Sequence, residues 1–247
     1  MFMRGFYNAT QAMIVKQREL DAVSNNIANI NTSGYRKDEV VLNTFMEELI
    51  WVQRRRATHE GTFRQTYVDI SRTNLEQSNF DFTGSRFDMA IWGNMYFNVT
   101  DRYGNTFQTR AGQFELDDLG YLCLNKAGRV QGANGDIYIG NDDFIVNADG
   151  VIMNPDEEVI DTLLLTYIPP DADVAKIGDN LFRYDGEEGL PEGETFDVIQ
   201  GAFEKSNVDG NKEISKAMEI QRMFEANSAI LKHFDTINTK TASMAKY

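Results

Sequence analysis

Two histidines, one cysteine and many carboxylates are the residues of this 247-residue chain with the chemistry to catalyse or to bind a metal. His59 precedes Glu60, but no second histidine follows at helical spacing, so the zinc-binding His-Glu-x-x-His pattern is not completed. His233 stands beside Phe234 in an amphipathic run and reads as a surface or interface residue. Adjacent acids occur at Asp117-Asp118, Asp142-Asp143, Glu157-Glu158 and Glu187-Glu188. Glycoside hydrolysis uses two carboxylates across a cleft, yet 26 acids lie in residues 65–206, so such pairs arise by chance. Asp171-Ala172-Asp173 opens like a calcium loop and then lacks the third acid, the glycine and the closing glutamate. Cys123 adjoins Leu122 in an apolar run and reads as a buried small hydrophobe. Ser33-Gly34 and Gly84-Ser85 lack the flanking pattern of a nucleophile, and no Gly-rich loop with a lysine is present to hold phosphate. The sequence predicts no enzyme and no cofactor or metal.

Charge separates the chain into parts. Residues 1–64 carry a net +2, residues 207–247 a net +1, and residues 65–206 a net −17. Nearly neutral ends pack together without self-repulsion, while an acidic middle keeps copies soluble and apart. That balance speaks against nucleic acid, which needs a basic footprint. Arg54-Arg55-Arg56 is the one basic cluster and reads either as a solvated linker face or as a contact with the acidic middle of a neighbouring copy. No apolar run reaches the length of a membrane span. No cleavable signal is legible, so the expectation is a cytoplasmic protein or one exported without such a signal.

The ends must be helical. Phe2, Phe6, Ala9, Met13, Lys16, Leu20, Val23, Ile27 and Ile30 recur at alternating spacings of four and three. That is the seam of a coiled-coil helix. Asn29, Asn31 and Gly34 then end it. Near the C-terminus, Ile220, Met223, Asn227, Ile230, Phe234, Ile237, Thr241 and Met244 repeat in the same way. A second stripe of Ala217, Phe224 and Leu231 lies beside them, giving a wider apolar arc than one partner helix needs.

Between the ends the punctuation is that of β-structure. Turn signals recur at Tyr103-Gly104-Asn105, Asp118-Leu119-Gly120, Asn134-Gly135, Asp149-Gly150 and Asp185-Gly186. They separate β-prone runs at 95–100, 106–109, 137–139, 144–146, 151–153, 159–168 and 195–203. Leu42, Phe45, Met46, Leu49 and Ile50 have helical spacing, so a short helix is expected there. Asp209 or Asn211 is the expected cap of the last helix. The fold class is therefore mainly β with long terminal α-helices. The N- and C-terminal helices are expected to pair as a coiled-coil domain around a central distorted β-barrel or sandwich. The domains are 1–36 with 207–247 as the helical domain, 37–64 as a linker, and 65–206 as the acidic β domain.

Asn25-Asn26-Ile27-Ala28-Asn29 followed by Thr32-Ser33-Gly34-Tyr35-Arg36 resembles the N-terminal motif of the bacterial flagellar axial proteins, the rod and hook family. Further likenesses follow in family order: Phe87-Asp88-Met89-Ala90-Ile91, Thr109–Asp117 with Gly120-Tyr121-Leu122, and Ile177–Phe182. Gln200–Val208 and Arg222–Asn227 complete the set. Length points within that family to the longer rod proteins, the FlgF and FlgG class. The resemblance implies a structural subunit that polymerises through its terminal helices into a torque-bearing shaft in the flagellar basal body. It implies partnership with copies of itself and with other rod and hook subunits. It also implies passage, unfolded, through the flagellar type III export apparatus. The assembly interface would be Phe6, Met13, Leu20, Val23, Asn25, Asn26, Ile27, Asn29 and Gly34 against Ile220, Phe224, Asn227, Ile230, Leu231, Phe234 and Ile237. Phe2 and Phe6 form the candidate export signal, and both also fit as plain seam residues. The alternatives are a hook-type axial protein, a hydrolase of cell-wall glycan, and a coiled-coil-stalked β binding module.

Overall fold

A computed structural model describes residues 2–44, 66–125, 127–140, 143–178, 180–184 and 194–244 of the chain. The chain forms two compact units. The first comprises Met1–Ala28, Asp38–Arg72 and Asp209–Tyr247, and the second Asn29–Lys37 and Thr73–Val208.

Helix α1 (Phe2–Ala28) is followed by strands β1 (Asp38–Thr44), β2 (Thr66–Thr73), β3 (Phe80–Phe82), β4 (Met89–Trp92), β5 (Met95–Thr100) and β6 (Thr106–Thr109). Next come β7 (Phe114–Leu116), β8 (Leu122–Leu124), β9 (Gly128–Gly132), β10 (Gly135–Asp136), β11 (Ile145–Val146) and β12 (Val151–Met153). The remaining strands are β13 (Val159–Thr162), β14 (Leu165–Tyr167), β15 (Ala175–Gly178), β16 (Leu181–Arg183), β17 (Asp197–Gln200) and β18 (Ala202–Glu204). Helix α2 (Gly210–Met244) ends the described chain.

The expected barrel does not form. The strands make five open sheets among the described residues, the largest with nine strands in the order β15-β16-β6-β5-β9-β8-β7, with β10 on β9 and β14 on β5. Smaller sheets pair β11-β12-β13, β17-β4, β18-β3 and β1-β2. The large sheet need not close, because its central strand β5 is covered on both faces. Phe97 and Val99 point into a main cluster with Met89, Leu122, Val130, Ile137 and Ile152. Tyr96, on the opposite face, joins Leu75, Ile168 and Phe182. Ring edges fix the fit: Phe97 meets Phe114 at 5.0 Å and Tyr96 meets Phe182 at 6.0 Å, both nearly perpendicular.

Local readings also needed correction. The run 159–168 is not one strand but β13 and β14, which pair in different sheets. Leu163 and Leu164 lie between, donating their backbone N–H groups to Gly150 and Gln131. The run 195–203 breaks at Gly201, whose φ of 83° turns the chain from β17 to β18. Residues 137–139 form only an isolated bridge, Tyr121 to Tyr138. Leu42, expected in a helix, stands in β1. Phe45, Met46, Leu49, Ile50, His59 and Arg54-Arg55-Arg56 lie outside the described residues.

The helical pair is corrected too. In α1 the fully buried positions after Ala9 are Val15, Glu19, Val23 and Asn26. Those spacings of four, four and three depart from the alternating four and three of a heptad seam. In α2 the covered stripe is Glu213, Ala217, Ile220, Phe224, Asn227, Leu231 and Phe234, with a seven-residue period, and only Glu213 and Ile220 are fully buried. α1 and α2 touch, but their periods differ and they form no long coiled coil. Glu19 takes a seam position because Lys16 neutralises it at 2.8 Å, and Leu20 beside it is only half-buried.

Candidate assembly surface and junction

Within the first unit, Asn26 is the polar centre. Its Nδ2 donates to the Asp38 carbonyl at 3.0 Å and to Glu213 Oε2 at 3.5 Å. Its Oδ1 accepts the Asp38 backbone N–H at 2.9 Å. An asparagine so enclosed fixes the registers of α1, β1 and the start of α2 together, since leaving any of these groups unpaired costs about 1–3 kcal/mol. Val23, 1% exposed, and Ile220, 3% exposed, are the buried apolar members of the expected set. Met13, Leu20, Ile27, Phe224, Asn227, Leu231 and Phe234 are half-buried, and Asn25 is exposed. The side chains of Phe2 and Phe6 lie outside the described residues. Ile230 and Ile237 remain 45% and 44% exposed. Ile214, Met218 and Met223 are exposed on the same helix.

Helix α2 starts where expected. Asp209 Oδ1 accepts the backbone N–H groups of Asn211 at 3.1 Å and Lys212 at 3.3 Å, the capping geometry that satisfies the first helical donors. The Lys212 backbone bond leads the interactions that hold the Asp209 carboxyl below its ordinary range.

Asn29 and Gly34 belong to the second unit. Asn29 accepts the Thr32 hydroxyl on Oδ1 at 3.2 Å and the Thr32 N–H on its carbonyl at 3.1 Å, closing a turn. Gly34 sits at φ 64° and donates its N–H to the Glu204 carbonyl at 2.7 Å. A Cβ there would stand 2.3 Å from the Arg110 carbonyl carbon, so only glycine permits this approach.

The sequence reading missed a buried ionic group in this unit. Glu204 Oε1 accepts from Arg36 Nη1 at 2.7 Å, and Oε2 accepts from Arg110 Nη1 at 3.2 Å. Arg36 is 0%, Arg110 2% and Glu204 1% exposed. Arg36 also donates to the Glu76 carbonyl at 2.9 Å. Arg110 donates to the carbonyls of Ile91, at 2.8 Å, and Gly93, and its guanidinium lies 4.6 Å from the centre of the Tyr96 ring. Burial is the largest influence on both arginines and pulls both down. At Arg36 the Glu204 carboxylate and Tyr96 together outweigh it and the value ends above the ordinary one; at Arg110 repulsion from Arg36 adds to burial and it ends below. Only Arg110 stands among small neighbours, Thr109, Ala111 and Gly112; Arg36 adjoins Lys37 and Glu204 adjoins Lys205, so no local signal marked the group for burial.

Family comparison bears on what such a chain is. Residues 6–36 match the family model described as "Flagella basal body rod protein". Residues 199–244 match "Flagellar basal body rod FlgEFG protein C-terminal" and residues 90–154 "Flagellar hook protein FlgE/F/G D1 domain". A relative, the flagellar basal-body rod protein FlgG of Bacillus subtilis (strain 168), is 32% identical over 260 residues, 95% of this chain and 96% of that one. The chain belongs to the flagellar basal-body rod protein family. FlgG of Caulobacter vibrioides is 26% identical to this rod-family chain over 98% of its length and 99% of the relative's. FlgF of the same organism is 30% identical, covering 89% of each chain. This member of the rod family is a structural subunit of the flagellar basal body. No helix among its described residues is long and apolar enough to cross a membrane.

Proposed function

We propose that this rod subunit polymerises through its terminal segments into the helical shaft that transmits torque, and that it performs no catalysis. Residues 1–36 and 207–247 form the inner tube, 37–64 the connection, and the acidic residues 65–206 the outer part. Its partners are copies of itself and other rod and hook subunits, and nucleic acid is not among them. The flagellar type III export apparatus delivers it unfolded, with Phe2 and Phe6 as the element recognised.

The observation that carries this reading is the apolar surface left on both flanks of the covered stripe of α2, Ile214 and Met218 on one and Met223, Ile230 and Ile237 on the other. Ile214, Met218, Met223, Ile230 and Ile237 are all more than two-fifths exposed in the single chain. Covering one such side chain contributes about 1.5–3 kcal/mol, so a few shared between subunits hold a shaft together. The assembly set proposed on α2 is Ile220, Phe224, Asn227, Ile230, Leu231, Phe234 and Ile237, facing Phe6, Met13, Leu20, Val23, Asn25, Asn26, Ile27, Asn29 and Gly34.

Electron microscopy of concentrated protein tests it. Intact protein is expected to give filaments or stacked tubes, and the double variant Ile230→Asp, Ile237→Asp to give none while its helical circular dichroism is kept. A discrete small oligomer unaffected by both substitutions would reject polymerisation through these helices.

A further inference from the structure

We propose that residues 29–37 are a latch in the second unit, which opens as one piece while the β-structure around it stays folded. Three observations support this, and none depends on how subunits assemble.

The latch is fastened mainly by polar groups, with Tyr35, 4% exposed, its one buried aromatic side chain. Gly34 donates its backbone N–H to Glu204, Asn180 Nδ2 donates to the Ser33 carbonyl at 2.9 Å, and Lys176 Nζ donates to the Arg36 carbonyl at 2.9 Å. Lys176 also lies 4.0 Å from the centre of the Tyr35 ring. The backbone N–H of Lys37 is held by Asn207 Oδ1 at 2.7 Å, and the carbonyl of Tyr35 by the Asn207 N–H at 3.2 Å. Neither apolar cluster of the unit includes a residue of the segment. Opening therefore leaves the clusters around Phe97 and around Tyr96 and Phe182 their own members.

The closed state is electrostatically unbalanced. Arg36 and Arg110 share one carboxylate, so closure buries one excess positive charge. Arg36 Nε and Nη2 and Arg110 Nε are buried with no acceptor in good hydrogen-bonding geometry, the Tyr96 side chain being the one polar group besides Glu204 that favours both charges. Each is a desolvated donor, and a buried charge without its own partner is costly. Opening carries Arg36 to water and leaves Arg110 and Glu204 as a neutral one-to-one pair. The open state is thus relieved of charge, while the closed state is held by hydrogen bonds.

The segment is also a crossing between units. With it seated, the chain passes between the two units after residues 28, 37, 72 and 208; once it is released, only the last two crossings remain. The latch sets how many strands of covalent chain tie the β unit to the rest.

The test is native-state hydrogen exchange on the full-length protein, with mass spectrometry of tryptic cuts after Arg36 and Lys37. The amides of Gly34, Lys37 and Asn207 are expected to exchange together, about tenfold or more faster than those of Phe97 and Val99 and with a weaker urea dependence. Gly34→Ala, which cannot seat against Arg110, is expected to raise cutting after Arg36 and Lys37 about tenfold while the Phe97 and Val99 amides stay protected. Lys176→Ala is the milder variant and is expected to speed exchange of the three latch amides severalfold, leaving β5 unchanged. Equal rates and urea dependence for latch and β5 in the unmodified protein would overturn the proposal. So would a Gly34→Ala or Lys176→Ala protein in which β5 and latch lose protection together, or a Lys176→Ala protein in which neither moves.

Discussion

Asn207 holds Lys37: its Oδ1 accepts the Lys37 backbone N–H at 2.7 Å across a separation of 170 residues. The same amide's Nδ2 donates to the carbonyls of Asn74 at 3.0 Å and Glu76 at 3.1 Å. One side chain thus satisfies three backbone groups from two distant segments. Asn207→Ala leaves the Lys37 N–H without this acceptor and takes one donor from each of the two carbonyls, of which that of Glu76 keeps Arg36. Urea unfolding is expected to show a loss of about 2–4 kcal/mol at an unchanged slope. Asn207→Asp keeps the acceptor for Lys37 and sets a carboxylate against two carbonyls, so it is expected to be no better than alanine. An aspartate variant as stable as the unmodified protein would show that the two donated bonds contribute nothing.

Gly112, two residues before β7, lies against Met89 at the start of β4. A Cβ on it would lie 1.6 Å from the Met89 carbonyl oxygen, and the Gly112 carbonyl accepts the Met89 N–H at 2.8 Å. Backbone meets backbone here, so no side-chain rotation relieves the clash. Gly112→Ala is expected to cost more than about 3 kcal/mol. Gly104→Ala is the control: open space surrounds that position, though its φ of 84° still strains an alanine, and a loss of about 1 kcal/mol is expected. Equal losses at both positions in thermal unfolding would rule out the close approach as the cause.

Much of this architecture was legible from local pattern. Asp118-Leu119-Gly120 predicted a turn, and Gly120 at φ 86° joins β7 to β8. Asp209 and Asn211 were both candidates for the cap, and Asp209 is the one that takes it. Partner choice was not legible, because it depends on residues far apart in the chain. Glu204 is 168 residues from Arg36 and 94 from Arg110, and no period in the sequence couples them. The run 159–168 is β-prone on both sides of Asp161-Thr162, and that polar pair at the end of β13 is the only local hint of where the chain leaves one sheet for another. The heptad reading of α1 failed at Glu19, where pairing with Lys16 let a charged residue occupy the buried face.

Cys123 supplies a prediction about reactivity. Burial, and then the negative charges of Glu115 and Asp117, push its thiol above the ordinary range. The thiolate is the reactive form, so at pH 8 the folded chain is expected to react with an aromatic disulfide about tenfold or more slower than the urea-unfolded chain. Asp117→Asn and Glu115→Gln each remove one repelling charge and are expected to speed the folded reaction. Rates equal to those of unfolded protein would show that the thiol is freely accessible.

The Asp209 cap gives the α2 unit an acid dependence with a definite sign. Its carboxyl is held below the ordinary value, first by the Lys212 backbone bond. A depressed folded value means that the contribution is fully present above the unfolded pKa of about 3.9 and is lost as pH falls through the folded value. Helical ellipticity of the full-length protein is therefore expected to decline on acidification below about pH 4, with the amides of Asn211 and Lys212 shifting in step. Asp209→Asn keeps an oxygen for the cap and has no proton to gain, so the shifts at those two amides are expected to vanish while the helix remains. Asp209→Ala removes both, and should show fraying at the start of α2 already at neutral pH. If the two amides titrated identically in the Asp209→Asn protein, the acid response would belong to another carboxylate.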